Sequence, residues 1–280
     1  MKITVPTIDF GTSKIVTMVA QSNGERCDIV GSGAVPYSGY LQDGWNNPDE
    51  IRDVIRTAID QAQKTGNCRI HELNVGVPGM FTRVIVKEVH VSLTGPDPHV
   101  TAQDVRACFK LAEESGGDRI IHSAPAWFRV DDGKKTLSPV GIKGRELSAM
   151  IALVTADKYF IDDITYRLRD MDIEPREFYS TVAGEATYAL SQDERDKTAM
   201  LIDIGYLCTD VMAVEGDAVI FQKTLPVGGG HIAADVAEGL NISLESAEQI
   251  KREYVYGIST ISQSYTVTGG DGVKADTFTQ

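Results

Sequence analysis

The sequence predicts an α/β protein of two related lobes, with a small α+β block inserted in the first lobe and the second lobe incomplete. Three observations lead there. The first is a repeat. Ile8-Asp9-Phe10-Gly11 and Ile202-Asp203-Ile204-Gly205 each end a short apolar strand, turn tightly and enter a second apolar strand. Asp203 and Gly205 follow Asp9 and Gly11 by one constant spacing, and Met212 follows Met18 by the same spacing. Solenoid repeats recur every ~20–50 residues, so a repeat this wide indicates two half-domains instead. The second observation is a mixed order of strands and helices on both sides of the gap. The third is a change of composition after Phe81, where a block with its own strands and helix begins.

Residues 3–10, 14–20 and 27–35 are rich in Ile and Val and are separated by turn residues, which predicts an antiparallel meander. Asn47-Pro48-Asp49-Glu50 reads as a helix start, with a cap, a first-turn proline and acids at the positive end of the dipole. Ile51, Val54, Ile55, Ala58, Ile59 and Ala62 follow at helical spacing, and Gly66 ends the run. Residues 73–78 read as a buried strand.

Residues 83–93 alternate as a β segment, and Thr94-Gly95-Pro96-Asp97-Pro98 breaks it. Thr101 and Asp104 predict a capping box before a helix that ends near Gly116. Strands are expected at 119–130 and 147–155, with a turn at Asp131-Asp132-Gly133. Helix returns over 157–171, with Phe160, Ile161, Ile164, Leu168 and Met171 on one face. Residues 180–190 are small and apolar, as a buried linker helix would be.

The second half restarts the pattern with strands at 199–204, 210–215 and 218–225. A glycine-rich corner, Pro226-Val227-Gly228-Gly229-Gly230-His231, then opens a helix carrying Ile232, Val236 and Leu240. Ser243 caps another, with Ala247, Ile250 and Tyr254 along it. A full repeat of the first half would need a further helix and strands after residue 258. Residues 259–280 are rich in Ser, Thr and Gly with no clear core strand, so the chain is expected to stop inside a domain. The expected division is 1–82 for the first lobe, 83–156 for the insertion, 157–198 for the return and linker helix, and 199–280 for a partial second lobe.

Composition limits the function. The chain has 280 residues, 42% of them hydrophobic, which suffices for a sizeable core. Its net charge of −13 and lack of a basic tract argue against nucleic acid. Cys27, Cys68, Cys108 and Cys208 have neither disulfide nor metal spacing and are read as reduced thiols. With no signal-peptide pattern and no apolar run near the ~18 residues of a membrane span, a cytoplasmic protein is expected.

The first repeat has the residues of a phosphate loop. Gly11 permits a tight turn and close approach. Successive turn amides can form an anion nest. Thr12 and Ser13 add hydroxyl donors, and Lys14 adds a positive charge. Asp9 could hold the water shell of a Mg²⁺ ion, which takes few carboxylates and keeps several waters. Asp-x-Gly is also common in plain hairpins, but its second occurrence favours phosphate binding. In that second loop Asp203 can face a metal in the same way, whereas bulky Tyr206 and Leu207 suit a structural hairpin equally well. Gly228 and Gly229 could pass close to a ribose or base, or simply form a flexible corner. Glu248 and Lys251 share a helix face and could straddle a nucleoside or pair with each other. His71, His90, His99, His122 and His231 are scattered and are given no catalytic role. Trp45 and Trp127 are read as packing residues.

The order Asp-x-Gly-Thr-Ser-Lys, an inserted α+β block, a small-residue linker helix, Asp-Ile-Gly, Pro-Val-Gly-Gly-x-His-Ile and Ala-Glu-x-Ile-Lys resembles the actin-like superfamily. More narrowly it is similar to the FtsA family of bacterial cell-division proteins, over residues 3 to about 258. Ile8–Val19, Val140-Gly141-Ile142-Lys143-Gly144-Arg145 and Pro226–Lys251 carry most of the likeness. The resemblance implies an actin-like (ribonuclease H-like) two-lobe fold with ATP and Mg²⁺ between the lobes. It implies that 83–156 is the SHS2 subdomain inserted in that family. Asp9, Gly11, Thr12, Ser13 and Lys14 would form the first phosphate loop, with Asp203, Gly205 and Thr209 in the second. Gly228, Gly229, Glu248 and Lys251 would lie towards the nucleoside, and Asp9 and Asp203 would hold the metal through water.

The implied role is an adaptor that polymerises into filaments or dimers. It would bind the tubulin-like division protein FtsZ and other divisome proteins at the cytoplasmic face of the membrane. The membrane would be reached only through a C-terminal amphipathic helix that these residues do not include. The family's second loop usually reads Asp-x-Gly-Gly-Gly-Thr-Thr-Asp, and Tyr206-Leu207-Cys208 stand here for Gly-Gly-Thr. No catalytic base is assigned, although Glu185 lies near, and at most a weak ATPase is expected. The alternative is a pseudo-ATPase scaffold similar to PilM, with little or no nucleotide binding.

Overall fold

The computed structural model describes residues 3–24, 26–42, 44–117 and 119–254, and the backbone of 264–267 and 276–279. The chain opens with β1 (Ile3–Phe10), β2 (Lys14–Ser22) and β3 (Cys27–Pro36). A two-residue hairpin, β4 (Tyr40–Leu41) and β5 (Gly44–Trp45), precedes α1 (Ile51–Gly66) and β6 (Glu72–Val77). Then come β7 (Thr82–Ser92), α2 (Ala102–Glu114), β8 (Ile120–Val130) and β9 (Glu146–Ala156). Next are α3 (Lys158–Arg169), β10 (Glu174–Ser180), α4 (Thr181–Ala189) and the short α5 (Gln192–Arg195). The second half holds β11 (Ala199–Ile204), β12 (Thr209–Glu215), β13 (Ala218–Leu225), α6 (Gly229–Leu240) and α7 (Leu244–Glu253). Strands β14 (Ser264–Val267) and β15 (Asp276–Thr279) pair with each other. The stretch read as lacking a clear strand therefore contains two, and the rest of 259–280 lies outside the described residues.

The first lobe is a five-stranded sheet in the order β10-β6-β1-β2-β3. β1, β2 and β3 form the expected meander, while β6 and β10 add in parallel on the other side of β1. Helix α1 packs on the β2–β3 face and buries Ile51, Ile55, Ala58, Ile59 and Ala62. Its start corrects the sequence reading. The helix begins at Ile51 after a turn, Glu50 is the N-cap residue without a side-chain cap, and the Glu50 carboxylate instead binds the Ser38 backbone amide. At its end Asn67, not Gly66, takes the left-handed conformation, which an asparagine tolerates. Phe10, Trp45, Phe81 and Phe160 form one aromatic core at centroid spacings of 4.9–5.9 Å.

The inserted block forms its own sheet, β7-β9-β8, covered on one side by α2. The capping box at Thr101 and Asp104 is present. Ala124, Ala126 and Trp127 of this block pack with Ala218 of β13, so the insertion rests on the second lobe.

The second lobe has three antiparallel strands, β11-β12-β13. Its inner face, with Met212, Val214 and Val219, packs on Val182, Ala183 and Ala186 of α4. Helix α4 is buried only there, and Tyr188 on its far side is 95% exposed. The outer sheet face is bare among the described residues. Met200 and Ile204 share cross-strand rows with Phe221 and Leu225, with β12 between them, and these four and Ile202 are exposed. Helix α6 does not bury the residues picked from its periodicity. Ile232 and Leu240 are exposed, and Gly230 and Ala233 face inward.

Candidate functional site: the cleft between the two hairpins

Both Asp-x-Gly hairpins open on one cavity of about 210 Å³ between the lobes. Their backbones match. Gly11 N–H donates to Lys14 O at 3.1 Å, and Gly205 N–H donates to Cys208 O at 2.9 Å, so each turn closes around two residues, Thr12-Ser13 in the first and Tyr206-Leu207 in the second. Strand pairing fixes the acids at the ends of the strands: Asp9 opposes Val16, and Asp203 opposes Asp210.

The first hairpin is braced from behind. The Tyr37 hydroxyl donates to Gly11 O at 2.8 Å, and the Tyr40 hydroxyl donates to Phe10 O at 3.1 Å. The β4–β5 hairpin delivers Tyr40 to this place, which local sequence patterning does not reveal. With its carbonyls held from behind, the loop presents Thr12, Ser13 and Lys14 to the cavity.

Helix α4 points its first turn at the same cavity. The Ser180 hydroxyl caps it by accepting from Ala183 N–H, and the Thr181 hydroxyl donates to Val77 O at 3.1 Å. Thr181 and Glu185 line the cavity, where the helix dipole adds positive potential. Gly76 and Gly79 bring the backbone around β6 close to the acids. An added Cβ would stand 3.2 Å from Asp9 Oδ1 at Gly76 and 2.3 Å from Asp210 Oδ1 at Gly79.

Four carboxyl groups share the cavity: Asp9, Glu185, Asp203 and Asp210. Burial raises the Asp9 pKa, the Phe10 backbone opposes this, and the Asp203 charge adds to it. Burial also raises Asp210, against a hydrogen bond from Thr224, with Asp203 again adding. Glu185 is pushed up to about 7, by burial first and then by the charges of Asp203 and Asp210 and a hydrogen bond to Asp203. Glu185 therefore holds its proton well above the ordinary carboxyl range, in hydrogen-bond contact with Asp203. Among the described residues no three His, Cys, Asp or Glu side chains converge to hold an ion directly. Such a set suits a cation held through water more than a closed metal site.

The second hairpin is built differently. Its Gly205 and Tyr206 carbonyls accept the first amides of α6, from Gly229 N–H at 2.9 Å and Gly230 N–H at 2.7 Å. The Leu207 amide crosses the cleft and donates to Thr12 Oγ1 at 2.9 Å. Gly228 and Gly230 are required by this close fit. A Cβ on Gly228 would meet Gly205 O at 2.5 Å, and one on Gly230 would meet the Tyr206 ring at 2.9 Å. His231, given no role from sequence, accepts from Gly228 N–H at 3.1 Å and steadies this corner.

Of the residues singled out, Asp9, Gly11, Thr12, Ser13, Lys14, Asp203 and Gly205 line the cavity. Thr209, Gly228, Gly229, Glu248 and Lys251 do not. The Thr209 hydroxyl donates to Val227 O at 2.7 Å. Lys251 and Glu248 form an ion pair at 2.6 Å, and the same ammonium donates to Gly229 O at 3.0 Å and stands 5.5 Å from the Tyr206 ring centroid. Glu185, noted from sequence only as lying near, and Asp210, the last residue of the second loop's pattern, were not assigned to the site, and both line the cavity.

Residues 79–155 match the family model of the SHS2 domain inserted in FtsA, and residues 200–279 match that of cell division protein FtsA. Cell division protein FtsA of Pseudomonas aeruginosa is 26% identical over 259 residues, covering 91% of this chain and 62% of that protein. The chain thus spans about three-fifths of the length of the curated relatives it matches. A chain of the PilM-PilN type IV pilus biogenesis complex superposes with a TM-score of 0.59 at 18% identity, covering 90% of this chain and 70% of that one. MreB5 of Spiroplasma citri bound to ADP gives 0.50 at 12% identity, covering 98% and 71%. These likenesses show the actin-like fold. With both family models drawn from one family and together taking in more than half of its residues, the chain belongs to the FtsA family of cell-division proteins.

Proposed function

We propose that this chain is a cell-division adaptor whose interlobe cleft takes a nucleotide and Mg²⁺ weakly, as a structural ligand. The observation that carries this reading is the pair of Asp-x-Gly hairpins meeting at one acidic cavity. In this reading Gly11, Thr12, Ser13 and Lys14 hold phosphate, and Asp9 and Asp203 hold Mg²⁺ through its waters. The bound ion would supply charge neutralisation between phosphate and the four carboxyl groups. The braced first hairpin fits that task. The second does not: its apex is bulky, and the α6 amides that could face an anion already bind carbonyls. The cavity of about 210 Å³ is also smaller than the ~300–1,000 Å³ usual for small-molecule pockets.

Any hydrolysis would be slow. Among the described residues that line the cavity, Glu185 is the group raised to about 7, a range suited to orienting water near neutrality. By family membership, the partners in this reading are the tubulin-like protein FtsZ, other division proteins and further copies of the chain. They would meet at the cytoplasmic face of the division-site membrane. No described helix is long and apolar enough to cross a membrane, so attachment would come from a surface-bound helix outside the described residues. A Mg-ATP-dependent rise in melting temperature tests the ligand, and its complete absence in the folded chain would remove ATP from the proposal. Co-sedimentation with FtsZ polymers tests the adaptor role.

The second reading is a pseudo-ATPase scaffold with little or no nucleotide binding. Tyr206 and Leu207 favour it, because they put bulky side chains at the apex of the second hairpin, with Tyr206 lining the cavity and the Leu207 amide already bound to Thr12 Oγ1.

A further inference from the structure

We infer that β13 couples the acid cavity to the inserted block, with Gln222 as the residue that locks this coupling at the block's neck. The inference is independent of the nucleotide reading and holds whatever the cleft takes. β13 meets three parts of the molecule along one strand. At its cavity end the Thr224 hydroxyl donates to the Asp210 carboxylate, which lines the cavity. In its middle Gln222 reaches the segment where the chain leaves the first-lobe sheet for the inserted block. Gln222 Nε2 donates to Gly79 O at 2.8 Å and to Thr82 Oγ1 at 3.0 Å, and the Thr82 hydroxyl donates to Gly79 O at 3.1 Å. At its far end Ala218 is fully buried with Ala124, Ala126 and Trp127 of the block, and Asp217 N–H donates to Pro125 O at 3.0 Å. Glu215, the last residue of β12, pairs with Lys135 of the block at 2.7 Å.

The neck is a three-way joint. Phe81 is buried in the first-lobe core, and Thr82 opens β7 of the inserted block. Gly79 and Thr82 receive the bonds from the second lobe. Gly79 is also a wall of the cavity. A Cβ added there would stand 2.3 Å from Asp210 Oδ1, so neck and carboxylate meet with no room between them. Thr224 and Ala218 are six residues apart in the strand, about 20 Å at ~3.3 Å per residue. Substitutions that far apart ordinarily act independently. Here a shift of Asp210 passes to Gly79 by contact and to the block through β13. Coupling of this kind is reciprocal, so a change at the inserted block acts on the cavity through the same strand.

The test is hydrogen–deuterium exchange on the whole 280-residue chain. Gln222→Ala removes the neck bonds and leaves Thr224, Asp210 and Ala218 in place. Exchange at residues 79–84 should rise about five- to tenfold, the net loss of one hydrogen bond. It should also rise at least about twofold at 124–127 and at 209–212, on the two sides of the lock, with β2 and α1 unaltered. Unchanged exchange at 79–84 overturns the lock. A rise confined to 79–84 overturns the coupling, and an equal rise throughout the chain overturns both. Thr82→Val keeps the shape, removes one arm of the same triangle and should give the same pattern at smaller size. Gly79→Ala approaches the coupling from the cavity. It presses on Asp210 and should raise exchange at 124–127, and adding Asp210→Ala should cancel most of that rise. A rise that Asp210→Ala leaves unaltered overturns the contact between cavity and neck. If Gly79→Ala fails to fold, the Gln222 and Thr82 variants decide the proposal by themselves.

Discussion

The two lobes begin with the same hairpin and finish differently. In the first, β6 and β10 extend the sheet beyond β1, α1 covers the meander, and four aromatic rings fill the centre. In the second, β11 pairs with β12 on one edge and with no strand on the other among the described residues, and the outer face shows Met200, Ile202 and Ile204. The hairpins follow the lobes. The first is held from behind by two tyrosine hydroxyls and offers small polar groups to the cleft. The second is held from the side by glycines of α6 and offers Tyr206 and Leu207. A repeated backbone thus does not preserve a repeated chemistry. The turn geometry survives because it is set by Gly11 and Gly205, while binding depends on the residues that follow.

The largest expected effect tests the lobes. Phe160 is fully buried and touches three rings, so Phe160→Ala should cost about 3–5 kcal/mol in urea unfolding. Ile204 is 69% exposed, and Ile204→Ala should cost within ~0.5 kcal/mol. Equal losses would mean that the second-lobe face is covered in solution. Gly228→Ala comes next. Its Cβ would press on two carbonyls of the second hairpin, at a cost of about 1–3 kcal/mol. Gly11→Ala meets only Lys14 O at 3.2 Å and should cost less. The reverse order would show that the first hairpin, not the second, is the tightly packed one. Tyr37→Phe, which frees Gly11 O, should lower stability by about 1 kcal/mol and weaken Mg-ATP binding.

The smallest effect is a pH dependence. The folded-state pKa of Glu185 is raised, so the folded chain keeps a proton that the unfolded chain gives up. Stability should fall as pH rises from the ordinary carboxyl range through about 7. Glu185→Gln should remove that fall. It should be near neutral at low pH and stabilising above pH 7, by about 1 kcal/mol after allowance for solvent screening of a half-buried group. Chemical unfolding across that pH range with parallel curves for the two proteins would refute it.

Much of this was legible in the sequence. Periodicity located the meander, α1, the inserted strands and β11–β13, because each has an apolar face of the right period. β10 was not legible. Its sequence, Glu-Pro-Arg-Glu-Phe-Tyr-Ser, has no regular alternation, and it is extended because β6 offers it a parallel edge. The tight hairpin of β4 and β5 is equally silent, yet it brings Tyr40 to the first Asp-x-Gly hairpin. The helix start at Asn47 was misplaced because a turn intervenes before α1. Helix α6 misled for another reason. Its apolar period is present, but it buries Gly230, against the Tyr206 ring, and Ala233, and it packs on α7 and not on a sheet. At the site, motif reading assigned the hairpin acids but gave no role to Glu185 or Asp210, because what joins them to Asp9 and Asp203 is a shared cavity that no local pattern encodes.

In the proposed nucleotide reading, the first hairpin holds phosphate and the bulky apex of the second leaves it no room. Calorimetric titration of Mg-ATP into the wild type and into the Tyr206→Gly/Leu207→Gly variant tests it most directly. The variant should bind at least ~10-fold more tightly, a gain of about 1.4 kcal/mol. Equal affinities in two equally folded proteins would contradict the claim.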